Sequence, residues 1–251
     1  MKHTSHVQAR AIQFGFLAIL TGGWFIIGRT GVVSPLFVPP MDAVWRAFIA
    51  LVRTSQFWAA VHITLTTILE AYGIAIVLGI LTGYLLTRSR FLMQVLEPVV
   101  SGLFAIPITL FFPLFILLFG IGPESKIAYG AAYGFFPIAL NTIAGLSNVE
   151  SRFLKAAKSM GLSQLGTFRH VLFPAAFPVI LTGLRIGFFI CFASVLGGET
   201  ISSVSGVGRN IALAAELMEP ARMYAWIIVV IATALVLNTL MSGLENRMRG
   251  F

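Results

Sequence analysis

A single cysteine, Cys191, stands among 251 residues, and only 10% of the chain is charged. One thiol can close no internal disulfide and is too few for a thiolate metal site, and no spacing of His, Asp and Glu supplies other ligands. The isolated histidines His62 and His170 read as helix-boundary residues. No GxxxxGK[ST] phosphate loop occurs, so nucleotide hydrolysis of that kind is not this chain's own chemistry. Neither Ser194 nor Ser205 has a suitably placed histidine for nucleophilic catalysis. Acids are scarce as well: 9 Asp and Glu against 17 Lys and Arg leave a formal charge of +8. That excess is dispersed through the connections between apolar segments and is not gathered into a basic domain, which argues against nucleic acid as a partner.

What the chain does have is apolar length. With 58% hydrophobic residues and a mean hydropathy of +0.93, most of its solvent is lipid. A span needs roughly 20 apolar residues. Runs of that kind fall at Ile12 to Gly28, Val61 to Leu86, Val95 to Gly120, Ile127 to Leu146, Ala175 to Leu196 and Tyr224 to Leu244. They predict an all-α membrane protein of about six transmembrane helices. Residues 1–60 hold the first helix and an outer segment, and residues 61–251 the core. The region Met1 to Ile27 lacks a clear small-x-small cleavage site around Thr21 to Trp24, so a retained first helix is expected. Cytoplasmic termini would place Lys2, Arg10, Arg88, Arg90, Arg152, Lys155, Lys158, Arg169, Arg247 and Arg249 inside, against Arg29, Arg46, Arg53, Lys126, Arg209 and Arg222 outside.

Between the first two runs, SPLFVPP at Ser34 to Pro40 is too rich in proline to be helical. From Met41 to Val52, Val44, Phe48, Leu51 and Val52 recur at helical spacing, which predicts a short interfacial helix on the outer face with Trp45 and Trp58 at headgroup level. Within the runs, Gly79/Gly83, Gly130/Gly134 and Gly183/Gly187 are GxxxG pairs, the signature of closely packed helices. Pro107 and Pro113 each remove a backbone donor from the third run. A membrane tolerates that only beside protein or a water-lined cavity, so this helix, with Pro107 and Thr109, is a candidate pathway wall.

The polar stretch from Glu150 to Pro174 is the most informative. Phe153, Leu154, Ala157 and Met160 form one apolar stripe opposite Arg152, Lys155 and Lys158, until Gly161 stops the helix. Ser163 is the expected N-cap of a second short helix, with Leu165, Phe168, Val171 and Leu172 as its stripe and Pro174 closing it at the membrane. By its residues alone the loop fits two roles, a hairpin held on anionic lipid or a docking surface for a soluble partner. Other polar candidates lie in the runs. Glu199, beside Thr200 and the serines that follow, reads as a gate or a brace facing the pathway. Asn141 and Thr142 read as bonds to a neighbouring helix or as pathway lining, and Ser194 as a further pathway candidate. Glu70 and Arg185 lie near lipid depth, where each needs a partner, a snorkelling path or a cavity.

The stretch LKAAKSMGLSQLGTFRHVLFPAAFPVILTGLR resembles the EAA loop of permease subunits of bacterial ATP-binding-cassette importers. Ala156, Ala157, Gly161, Leu172 and Pro174 fall on that pattern, and Lys155 replaces its usual glutamate. FGIGPESKIA at Phe119 to Ala128, FFPIALNTIAGL at Phe135 to Leu146 and GETISSVSGVG at Gly198 to Gly208 are similar to the nitrate, sulfonate, taurine and bicarbonate branch, and the resemblance runs from Thr66 to Asn246. It implies the MetI-like type I importer fold in a bacterial inner membrane. Two permease chains, alike or different, would form a pathway for a small oxyanion. Two ATPase subunits, which bind the ATP and Mg, would dock on the loop through Leu154, Lys155, Ala156, Ala157, Met160, Gly161, Leu162, Phe168, Leu172 and Pro174, and an extracytoplasmic solute-binding protein would deliver substrate. No cofactor is implied for this chain itself. The alternative, an ion-coupled secondary transporter, commonly carries several intramembrane acids or paired broken helices, and neither pattern stands out.

Overall fold

The computed structural model describes residues 6–248, so Lys2 and Arg249 lie outside the described residues. Within that range the chain is helical, with no strand among the described residues. In order come α1 (His6–Thr30), α2 (Met41–Val52), α3 (Ser55–Thr87) and α4 (Arg90–Ala105). A 3₁₀ turn at Ile108–Phe111 leads into α5 (Phe112–Phe119), followed by α6 (Pro123–Ser147), α7 (Ser151–Ser159) and α8 (Gln164–Thr167). A π turn at Phe168–Leu172 leads into α9 (Phe173–Ile201), and α10 (Val207–Glu216) and α11 (Pro220–Met248) complete the chain. Five stretches are long and apolar enough to cross a membrane: Ala11–Thr30, Ser55–Thr87, Pro123–Ser147, Gln164–Ile201 and Pro220–Gly243.

The third apolar run is not the single helix its hydropathy predicts. It breaks into α4 and the Ile108–Phe119 segment, which meet at 78°. The cause is local. Ile106 precedes a proline and takes the extended conformation (φ −74°, ψ 131°), because the pyrrolidine ring of Pro107 crowds the helical alternative. Pro107 and Thr109 are both exposed at this break.

The contacts divide into two units. The first joins the chain up to Ala59 with Asn210–Thr233. In it, α2 is the amphipathic helix that the spacing predicts, with Val44 and Leu51 buried and Trp45 exposed. The proline-rich piece before it is a non-helical turn, tied by Trp24 Nε1 donating to Pro39 O at 3.0 Å and Tyr224 OH donating to Phe37 O at 2.7 Å. Phe57 stacks on the buried Trp226 at 5.2 Å.

The second unit, Ala60–Arg209 with the chain from Ala234, is organised about α6. All three GxxxG pairs meet there. A methyl placed on Gly83 of α3 would come within 2.5 Å of Thr142 Cβ, and one on Gly183 of α9 within 2.5 Å of Asn141 Cβ. On α6 itself Gly134 lies against Cys191 and the Gly187 carbonyl. Lipid gives no hydrophobic drive for helix association, so it is this close approach and its dispersion contacts that hold the layer together. Ala75, Ile138 and Cys191 are its fully buried centre.

Asn141 and Thr142 depart from the expected interhelical bonds. Asn141 Nδ2 donates to Pro137 O at 2.8 Å and Thr142 Oγ1 to Ile138 O at 2.7 Å, both one turn back in α6. The glycines opposite bring bare backbone against these side chains, and a carbonyl of their own helix is the nearer acceptor. Arg185 donates to Asn238 Oδ1 of α11 at 2.9 Å, while Glu70 is exposed on α3.

Candidate functional site

The loop after α6 folds as two helical pieces around Gly161. α7 ends in a Schellman arrangement, in which Gly161 N–H donates to Lys158 O at 3.0 Å and Leu162 N–H to Ala157 O at 3.1 Å. That geometry needs a left-handed residue, and Gly161 supplies φ +75° at no steric cost. Two residues on, Ser163 caps α8, its Oγ accepting from Gly166 N–H at 3.1 Å, as the sequence predicts. The turn is held by backbone and one hydroxyl, with no buried side chain at its centre.

Side chains along α7 sort by face. Ala157 is buried and Leu154 half-buried, whereas Lys155, Ala156 and Lys158 are exposed. Phe168 and Leu172 are half-buried, with Tyr84 of α3 packed edge-on to Phe168 at 5.3 Å. At the tip, Met160 is 79% and Leu165 75% exposed, flanking the less exposed Leu162. Leu165 was legible only as part of a packing stripe, because periodicity shows that a residue shares a face but not which face the bundle covers. Glu150 and Arg152 pair at 2.6 Å on the surface at the start of α7.

Pro174 does not close the second helix at the membrane. The helical path runs unbroken from Gln164 to Ile201. A proline inside a helix withdraws one N–H and crowds the carbonyl four residues back, and the widened π turn immediately before α9 accommodates both. The tip of the loop and the far end of α9 therefore belong to one helical path of 38 residues, roughly 55 Å long at about 1.5 Å per residue.

At that far end lies a second polar assembly. Glu199 is 2% exposed, in the last turns of α9. Thr64 Oγ1 of α3 lies 2.8 and 2.9 Å from its two carboxylate oxygens and donates to them, and Gly208 N–H donates to Oε2 at 2.8 Å. The same Thr64 oxygen accepts from Val207 N–H at 2.8 Å. Gly206 (φ +104°) and Gly208 wrap the carboxylate so closely that a side chain at either would overlap Glu199. Lys126, fully buried in the first turns of α6, donates to Ile121 O at 2.6 Å and Gly122 O at 3.1 Å, and its charge attracts Glu199. The carboxylate is thus enclosed and tied by hydrogen bonds to α3 and to the start of α10.

The sequence reading did not single out Thr64 or Lys126: a threonine in an apolar run and a lysine counted among loop cations carry no signal of their own. Of the other polar candidates, Ser194 is buried on α9, and Thr200 is exposed and bonds Gly197 O at 2.7 Å. Tyr129 OH donates to Thr109 Oγ1 at 3.3 Å. The structure thus gathers Glu199 with Thr64 and Lys126 but leaves Pro107 and Thr109 at the break after α4, and Asn141 and Thr142 within the α6 layer.

The family described as "binding-protein-dependent transport system inner membrane component" matches residues 75–250. The taurine transport system permease protein TauC of Escherichia coli K12 is 29% identical over 94% of this chain and 88% of its own length. The putative aliphatic sulfonates transport permease protein SsuC of Bacillus subtilis 168 is 27% identical over 92% and 84%. Among solved structures, a chain of the MetNI methionine ABC transporter superposes with a TM-score of 0.65 at 17% identity, over 86% of this chain and 99% of that one.

Proposed function

Since the chain belongs to the family of binding-protein-dependent transport system inner membrane components, we propose that it carries a small sulfonate, or a closely related oxyanion, across the membrane as the permease subunit of an ATP-driven importer. The observation that carries this reading is the tip of the basic loop. Met160 and Leu165 stand exposed on a rigid helix–glycine–helix turn, and that turn is continuous with a membrane-crossing helix. Exposed apolar side chains beside the exposed Lys155 and Arg169 have the composition of an interface waiting for a soluble partner.

In this reading two ATPase subunits, which bind the ATP and Mg, seat on the loops of two permease chains, and a solute-binding protein delivers substrate on the opposite face. Both termini and the Glu150–Pro174 loop lie in the cytoplasm of a bacterial cell. Closure of the ATPase pair on ATP pushes the tip, and the unbroken Gln164–Ile201 helix transmits the displacement as a rigid lever into the packed bundle. The pathway side chains, from Pro107 and Thr109 to Asn141, Thr142, Ser194, Glu199 and Thr200, respond to that movement; Glu199 does so as an anchor.

The test is copurification of the tagged chain from its native membrane, followed by reconstitution with whatever ATPase comes with it. ATP-dependent uptake of taurine or an alkanesulfonate, competed by other sulfonates but not by amino acids, is the expected result. Uptake driven by an ion gradient with no ATPase present would transfer the chain to the secondary-transporter class.

A further inference from the structure

Beneath the loop, α3, α4, α6, α7 and α8 line an open cleft of about 1170 Å³. Arg88, Arg90 and Lys158 line it, and no carboxylate does so among the described residues. Arg88 is held toward Tyr84, its Nη1 donating to the phenol oxygen at 3.1 Å. A second space of about 420 Å³ shares Tyr84, Leu146 and Phe168 with the first and continues between α3 and α9 along Ile76, Ile80 and Ile180. Its wall is almost wholly apolar, and it lies along stretches that are long and apolar enough to cross a membrane. A basic cleft and an apolar groove thus adjoin at Tyr84, Leu146 and Phe168.

We infer that this composite site holds one anionic phospholipid from the leaflet that this end of the helices meets. Its phosphate sits among Arg88, Arg90 and Lys158, and one acyl chain lies in the groove beside Tyr84 and Ile80. Three cations with no carboxylate beside them favour a headgroup of net negative charge over a zwitterionic one, whose own ammonium they repel, and arginine presents paired donors to the phosphate oxygens. The groove excludes a soluble anion as the natural occupant, because inorganic phosphate has nothing to place against isoleucine. Lys158 is on α7, less than one turn before Gly161, so an occupied site ties the base of the loop to the bilayer and makes its position sensitive to anionic lipid content.

The test uses the full chain in mild detergent and reads lipid retention by native mass spectrometry, which requires neither transport nor a partner. Dioleoylphosphatidylglycerol is expected to be retained about tenfold more strongly than dioleoylphosphatidylcholine. Replacing Arg88, Arg90 and Lys158 together by Gln should lower phosphatidylglycerol affinity by about fivefold per cation removed. Leu81→Trp, at the edge of the groove with all three cations intact, should weaken it by a similar factor. If the triple variant fails to insert, Arg90→Gln on the exposed rim carries the same test with a single fivefold step. Equal retention of the two lipids, or undiminished retention in the cation variants, would overturn the inference. So would complete displacement by excess inorganic phosphate, which would mark a free-anion site, or loss of a copurifying ATPase with lipid retention unchanged, which would mark a protein-docking surface.

Discussion

At Glu199, α9 ends among donors from two other stretches of chain, with both oxygens of a buried carboxylate answered; at Leu165, the same helical path begins beside a turn that has only backbone bonds and one serine hydroxyl to hold it. The difference follows from what each end must satisfy. A carboxylate removed from water costs several kcal/mol unless every acceptor is met, so its surroundings are over-determined and cannot shift independently. The tip has no buried polar group to satisfy. It exposes Met160 and Leu165 to a medium that favours neither, and it is free to be moved by whatever covers them. A helix fixed at one end and free at the other transmits a push as displacement of the bundle.

The most severe way to break this comparison is Gly208→Val. Its Cβ would lie 2.6 Å from the Leu196 carbonyl and from Glu199 Cβ, so the anchored end cannot form. A loss of roughly 3–5 kcal/mol is expected, seen as failure of the chain to elute as a monodisperse species in size-exclusion chromatography. Thr64→Val comes next. It strips Glu199 of one donor and Val207 N–H of its acceptor, and should lower the thermal midpoint by the equivalent of about 2–4 kcal/mol. Thr64→Ser keeps the hydroxyl and most of the stability; an equal loss in both variants would show that the methyl and not the hydrogen bond matters.

At the free end stability and transport should separate. Gly161→Leu forces a branched residue to φ +75°, costing about 1–2 kcal/mol, yet it should abolish ATP-coupled sulfonate uptake because the two helical pieces no longer meet at the same angle. Gly161→Asn, which tolerates the left-handed region, should retain most uptake. Leu165→Ala combined with Met160→Ala should change stability by less than about 0.5 kcal/mol while reducing ATPase copurification about tenfold. Ser163→Ala should have the smallest effect, about 1 kcal/mol confined to the turn and read as faster hydrogen exchange at Gly166.

Local chemistry was legible wherever the determinant and its consequence are near in sequence. The apolar runs mark the spans, the spacing of Val44, Phe48 and Leu51 gives α2, and Gly161 followed by Ser163 gives a stop and a start two residues apart. The GxxxG pairs announce close packing, although nothing in them says that all three converge on α6. Pro174 was misleading for a physical reason. A proline ends an isolated helix, but packing of Phe168 and Ala176 holds this one through a widened turn.

By itself, then, the sequence determined a helical membrane protein, the placement of most of its spans and the helix–glycine–helix form of its basic loop, because hydrophobic length, capping and φ preference act over a few residues. Only the tertiary structure decided which threonine answers Glu199, that Lys126 is buried, that the third run bends by 78° and that Arg88, Arg90 and Lys158 share one cleft. Those outcomes depend on groups tens of residues apart meeting in space, and on the cost of leaving any buried charge or backbone group unanswered once they do.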